Sequence, residues 1–265
     1  MISTFAHIHP NAKLGKDIII DPFAVIEDDV SIGDGTHVMS HAIIMKKVKI
    51  GKSCTVFPGA VVGAIPQDLK FNGEDTTVEI GDHTTIRECV TVNRGTKDKW
   101  KTVIGSHCLL MAYSHIAHDC LLGDNVIIAN SVQLAGHVEI GDHAIIGGMA
   151  AAIQFSKIGA HTYIAGGAEV IKDVPPFIKA GRSPLSYVGV NSVGLQRRGF
   201  TSEKINSISE IYRNIFLRGL NITQATLFIE KELPESEEKT EILNFIKDSK
   251  RGILKVSSKE SMDEN

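Results

Sequence analysis

Apolar residues recur every six positions through most of the chain. Stepping from Ile8 gives Leu14, Ile20, Ile26, Ile32, Val38, Ile44, Ile50, Val56 and Val62, then Ile80, Ile86 and Val92. The series resumes with Ile104, Leu110, Ile116, Leu122, Ile128, Leu134, Ile140 and Ile146, and closes with Ile158, Ile164 and Val170. Only Asp68, Glu74, Asp98 and Ala152 break it. Neither the helical period of about 3.6 nor the strand period of about 2 yields this beat. A repeated hexapeptide does, and it predicts a solenoid β-helix.

Two neighbouring slots support the reading. The slot two residues before each anchor holds small side chains, among them Ala24, Thr36, Ala42, Cys54, Ala60, Cys108, Ser114, Cys120, Ala144 and Ala168, which suit a crowded, inward-turned corner. The residue after the anchor is often glycine: Gly15, Gly33 and Gly51, then Gly105, Gly123, Gly141 and Gly159, each set spaced by 18. Three hexapeptides therefore make one coil, a triangular prism of three short strands, and the glycines are expected at one corner where a tight turn favours a residue without Cβ. Gly81 joins this column if 12 residues loop out after Val62, and the later glycines join if six more loop out after Val92.

The expected organisation is a prism over residues 1–176 with excursions near 63–79 and 93–102, a connector over 177–200, a helical domain over 201–256 and a tail over 257–265. The first excursion carries Pro, Asn and Gly; the second is basic and holds Trp100. Loops of this kind on a regular scaffold tend to carry function. Pro175 and Pro176 stop the beat, because proline cannot continue a paired strand. The connector reads as irregular. Beyond Thr201 the period becomes helical, with Ile205, Ile208, Ile211, Tyr212, Ile215 and Phe216 on one face. Further helices are expected near 223–233 and around Ile242–Ile246, and the polar end reads as disordered.

Composition narrows the function. A net charge of −3 argues against wholesale nucleic-acid binding. No apolar run reaches a membrane span of roughly 18 residues, and the N-terminus lacks a signal peptide's charged start, so a cytoplasmic protein is expected. Four cysteines without a CxxC indicate neither a disulfide framework nor a cysteine zinc site.

Eleven histidines are many. Most occupy a repeated place three residues after an anchor: His41, His83, His107, His137, His143 and His161. His118 alone sits two places after one, beside Asp119 and three residues from His115. Adding 18 to His118 gives Gly136, and again gives Gln154, so these should stack at roughly 4.8 Å per coil. His137 likewise sits over Asp119. A histidine under a glycine has open space above its ring and a backbone N–H within reach of whatever fills it. Such a pair supplies a general base of ordinary pKa near neutrality and an oxyanion donor, two parts of an acyl-transfer site. A G-x-S-x-G elbow, a P-loop and a G-x-G-x-x-G fingerprint are absent from the sequence, and no protein nucleophile is needed if an acceptor hydroxyl attacks directly.

The blocks Pro66-Gln-Asp-Leu-Lys70, His115-Ile-Ala-His-Asp-Cys120, Leu134-Ala-Gly-His137, Ile145-Ile-Gly-Gly-Met149, Asp173-Val-Pro-Pro176 and Gly194-Leu-Gln-Arg-Arg-Gly-Phe200 resemble the bacterial UDP-N-acetylglucosamine acyltransferases of lipid A synthesis, over essentially the whole chain. The resemblance implies a homotrimer of left-handed prisms with sites between subunits, an exception to the right-handed crossover rule. It implies transfer of an (R)-3-hydroxyacyl chain from acyl carrier protein to the glucosamine 3-hydroxyl of UDP-N-acetylglucosamine, without metal or cofactor. It assigns His118 as general base, Asp119 as its partner and Gly136 as oxyanion donor. Asp68, Lys70, His115, His137, Gln154, Asn191, Arg197 and Arg198 match substrate-binding positions, and Gly166 an acyl-length position. Two departures remove polar groups from the pocket: Ile153 where the family often has His, and Val193 where it often has Glu. The alternatives are the sister N-acyltransferase, a zinc prism of carbonic-anhydrase type and a non-enzymatic binding scaffold. The last would want a regular Thr-x-Thr ladder, which the chain lacks.

Overall fold

The computed structural model describes residues 1–256; the expected tail at 257–265 lies outside them. Short strands stack into three sheets that are parallel throughout the repeats. The first sheet runs from His7–Ile8 to Glu169–Val170 in nine strands, and the second from Lys13–Leu14 to Lys157–Ile158 in eight. The third begins at Ile19–Ile20 and ends with Ser186–Val190 in ten. Most strands pair with the third strand after them, as in Ile8↔Ile26 and Ile116↔Leu134, a step of 18 residues. The step lengthens at Val62↔Val92 and Ile80↔Ile104, where the chain leaves the prism and returns in register.

The anchors fill the prism: Ile26, Ile44, Ile86, Leu110, Ile116 and Ile128 are completely buried. Burying each contributes roughly 1.5–3 kcal/mol, and the column of them is what offsets the backbone ordering. Ala24, Ala42, Ala60 and Ala144 are equally buried at the corners, where nothing larger fits. Cys54, Cys108 and Cys120 share that slot. Burial pushes the Cys108 thiol up to about 11 and Cys120 up to about 12, so neither supplies a thiolate near neutral pH.

The corners divide labour in a way the repeat alone does not reveal. Within the repeats, the non-glycine residues with left-handed backbone are those three places after an anchor, including His83, His107, Asn125, His143 and His161; Trp100, Phe177 and Arg182 lie outside the repeats. Histidine and asparagine are among the side chains that tolerate this region best, which explains the repeated histidine slot. The glycine column has a different cause. Gly15, Gly51, Gly105 and Gly141 have ordinary φ, and a Cβ on them would run into the next coil; at Gly141 it would lie 2.5 Å from the Ala160 nitrogen. Close approach of successive coils, rather than a strained turn, excludes a side chain there. Aspartates cap the same edge, Asp124 Oδ1 accepting from the Ser106 N–H at 2.7 Å and Asp142 Oδ1 from the Asp124 N–H at 2.8 Å.

Residues 177–200 are more ordered than their sequence implies. Ile178–Gly181 extends the third sheet beside Tyr163–Ile164, and Ser186–Val190 folds back antiparallel upon it. Four helices follow among the described residues: α1 (Ser192–Arg197), α2 (Ser202–Phe216), α3 (Ile222–Glu232) and α4 (Glu237–Asp248). Thr201, Asn221 and Ser236 cap the last three, each accepting from a backbone N–H of the first turn. The apolar face of α2 is buried, and Tyr212 Oη donates to the Pro176 carbonyl at 2.5 Å, tying the helices to the end of the prism. Among the described residues no helix is long and apolar enough to cross a membrane.

Candidate active site

The cluster singled out by the column arithmetic lies on the corner between the first and second sheets. The strand His115–Ile116 leads into it, and Asp119 turns it with a left-handed φ of 59°. That turn carries the side chains of His118 and Asp119 toward each other: His118 Nδ1 lies 2.9 Å from Asp119 Oδ2, and both side chains are buried. Burial would raise the Asp119 carboxyl. Hydrogen bonds from His118 and from the Thr96 hydroxyl and N–H, with the nearby His137, outweigh it and hold the carboxyl at about 2. With Asp119 ionised and facing Nδ1, the proton of a neutral His118 belongs on Nδ1, which leaves Nε2 as an acceptor.

One coil further on, His137 N–H donates to the His118 carbonyl at 3.0 Å and fixes Gly136 above the ring. A Cβ on Gly136 would lie 2.5 Å from His118 Cε1 and 2.6 Å from Nε2. Glycine therefore keeps the accepting side of His118 open. The His137 ring meets His118 edge-on at 5.0 Å and stacks on Phe155 at 4.3 Å. Burial lowers the pKa of His137, with His118 acting in the same direction against the pull of Asp119 and Asp98.

His118 and Gly136 open onto a cavity of about 470 Å³, whose walls include Asp68, Lys70, His115 and Gln154. An adjoining cavity of about 260 Å³ touches Asp68, Lys70, His137 and Gln154. The loop carrying Asp68 is shaped by its own side chain, which accepts from the Lys70 N–H at 2.9 Å. His115 Nδ1 pairs with the Thr91 hydroxyl at 2.7 Å, and burial, then the neighbouring His118, lowers its pKa. Sequence reasoning missed Asn93, which also lines the larger cavity. Its amide nitrogen is tied to the Ile65 carbonyl at 3.0 Å, and its buried Oδ1 has no hydrogen-bond partner among the described residues. The available signal was an amide at the point where the chain leaves the prism.

The remaining expected site residues do not join this cluster. Asn191 donates to the His161 carbonyl and Arg198 to the His143 carbonyl, each at 2.9 Å, on the corner between the second and third sheets. Arg197 ends α1, beside them in sequence. Gly166 lies on the third corner, where a Cβ would approach the Gly148 carbonyl to 3.1 Å. His118, Asp119 and His137 also bring potential ligand atoms within 4.8 Å of one another. Asp119, however, is already engaged by Thr96, Lys99 and His118, which makes it a poor free metal ligand.

Comparison with known proteins places this geometry. Residues 173–254 match the family model for domain 2 of UDP-N-acetylglucosamine O-acyltransferase, and residues 101–136 match the bacterial transferase hexapeptide (six repeats). An acyl-[acyl-carrier-protein]–UDP-N-acetylglucosamine O-acyltransferase of Thermodesulfovibrio yellowstonii is 45% identical over 252 residues, 94% of this chain and 97% of that one. The chain belongs to the UDP-N-acetylglucosamine O-acyltransferase family. The crystal structure of LpxA, a UDP-N-acetylglucosamine acyltransferase from Bacteroides fragilis, superposes with a TM-score of 0.94 at 48% identity, covering 96% of this chain and all of that one. The Francisella novicida UDP-N-acetylglucosamine acyltransferase reaches 0.96 at 37% identity, covering 100% of this chain and 97% of that one. The hexapeptide match makes the prism of this family member a left-handed parallel β-helix.

Proposed function

We propose that this protein transfers an (R)-3-hydroxyacyl chain from acyl carrier protein to the 3-hydroxyl of UDP-N-acetylglucosamine, the first step of lipid A synthesis. One observation carries the reading: a buried imidazole, oriented by a carboxylate on one nitrogen, has its other nitrogen kept open by a glycine one coil above. The 3-hydroxyl oxygen attacks the thioester carbonyl while His118 Nε2 takes its proton. The negative charge that develops on the carbonyl oxygen accepts a hydrogen bond from the Gly136 N–H. The intermediate then breaks at its C–S bond, and the imidazolium returns a proton to the departing thiolate of the carrier. Asp119 stays ionised throughout and stabilises the imidazolium.

Asp68, Lys70, His115, His137 and Gln154 are the substrate contacts of this corner. Asn191, Arg197 and Arg198 serve the nucleotide, the arginines as cationic forks for a diphosphate, and Gly166 bounds the acyl pocket. Their positions on other corners of the prism support a homotrimer, in which a neighbouring subunit's corner completes each cleft. Exposed apolar side chains on the corners support it too: Leu69, Ile153 and Phe155 around the His118 edge, and Tyr113 and Met149 on the edge of Gly166. A cytoplasmic location belongs to the same proposal.

Incubating the purified protein with UDP-N-acetylglucosamine and 3-hydroxyacyl carrier proteins of graded length tests the reading. The expected result is one O-acylated sugar nucleotide, formed best with one chain length. Product from no donor, alongside N-acylation of a 3-O-acylated glucosamine nucleotide, would contradict it.

A further inference from the structure

Asp119 receives more hydrogen bonds than the orientation of one imidazole requires. The Thr96 N–H reaches Oδ1 at 2.9 Å and the Thr96 hydroxyl reaches Oδ2 at 2.6 Å. The Lys99 N–H reaches Oδ1 at 3.2 Å, and His118 Nδ1 faces Oδ2 at 2.9 Å. Three of these four contacts come from the excursion between strands Thr91–Asn93 and Lys101–Ile104, outside the repeat.

That excursion is itself fixed. Lys99 Nζ lies 2.6 Å from Glu139 Oε1, and Glu139 Oε2 is 3.3 Å from Lys157 Nζ, so two outward rungs of the second sheet hold the loop down. The Thr96 hydroxyl accepts from the Asp98 N–H at 3.3 Å, and its single proton is thereby directed at the carboxylate. From the other side, the Asp119 N–H donates to Thr102 Oγ1 at 2.9 Å.

We propose that Thr96 is a positioning residue for the reaction: it locks both oxygens of Asp119 so that the carboxylate cannot rotate away from His118 Nδ1. A carboxylate held by one histidine alone can turn about its own bond and let the ring turn with it. One held at both oxygens presents a single fixed edge, and the ring acquires one tautomer and one orientation. The inference rests on the reading of His118 as general base. It gives the second excursion a task that the prism does not perform, since the prism side chains that approach the Asp119 carboxylate, those of His118 and His137, both face Oδ2 and leave Oδ1 to the loop.

The test is steady-state acyl transfer by Thr96→Val, Thr96→Ala and Thr96→Ser, each also in an Asp119→Ala background. Removing the hydroxyl should lower kcat by roughly 10- to 100-fold, the range for a hydrogen bond to a charged group, with KM for the sugar nucleotide little changed. Thr96→Ser should remain within about threefold of wild type, and in the Asp119→Ala background the loss should shrink to less than about threefold. Equal losses in both backgrounds, a change confined to KM, or a fully active Thr96→Ala would overturn the proposal. Thr96→Ala keeps the N–H donor and the loop backbone, so it reads the same cycle if the valine variant does not fold. If the wild type acylates no sugar, the proposed function fails instead. Imidazole ¹⁵N spectra of the resting protein then decide the clamp alone: a single Nδ1–H tautomer of His118 in wild type that becomes mixed in Thr96→Ala supports it, and identical spectra refute it.

Discussion

The Cα of Gly136 faces the His118 ring so closely that a methyl group there would sit 2.6 Å from Nε2, the nitrogen left open by the Asp119 contact. Gly136 has no left-handed φ, so alanine is compatible with its backbone. The methyl would instead push the imidazole off Asp119 or fill the place of the reacting hydroxyl. The N–H donor is kept, so the effect is on the base: Gly136→Ala should lower kcat by about 10²–10⁴-fold, the contribution of a general base, while the protein still unfolds cooperatively. Kinetics together with a thermal melt check this; an active variant would show that the open space above His118 Nε2 is not needed for the reaction.

The glycine column and the left-handed corner slots predict opposite responses to substitution. Gly141→Ala places a Cβ 2.5 Å from the Ala160 nitrogen and should destabilise the prism by about 1–3 kcal/mol, because backbone has to move. Asn125→Gly, at a φ of 58°, relieves a left-handed side chain and should change stability by less than about 1 kcal/mol. Denaturant unfolding of both variants distinguishes close approach from turn strain as the reason for the glycines.

His161 should make the protein acid-sensitive. Burial, reinforced by His143 and Arg198 against Asp142, lowers its pKa from an ordinary 6.5 to about 4. Between those values the unfolded chain binds a proton that the folded chain does not, so stability falls as pH drops from 6.5 toward 4 and this contribution levels off below. His161→Asn, suited to the left-handed φ of 57°, should flatten that part of the stability profile although it loses the ring stacking on His143 and Phe177. An unchanged slope would exclude His161 as the source.

What the sequence disclosed follows from where its numbering matches the geometry. Ile116 and Leu134 are partners because one coil is 18 residues, so stacking His118 beneath Gly136 needed only addition. Thr96 was invisible to that arithmetic, since it sits in a loop whose residues belong to no column. Asn191 and Arg198 return to the prism after Pro176, beyond the repeat, and only coordinates show that they reach the His143 and His161 corner. The glycines share one corner, as their spacing of 18 predicts, but their ordinary φ values show that crowding between coils, not the turn, selects them. Handedness is in no spacing, since a left- and a right-handed prism repeat alike.

The most direct test of the central claim is acyl transfer by His118→Ala beside the wild type, with the same donor and UDP-N-acetylglucosamine. A general base contributes roughly 10²–10⁴-fold, so the variant should lose at least about 100-fold in kcat with its fold intact. A loss of less than about tenfold would contradict proton transfer through His118 and with it the account of Asp119, Gly136 and Thr96 given above.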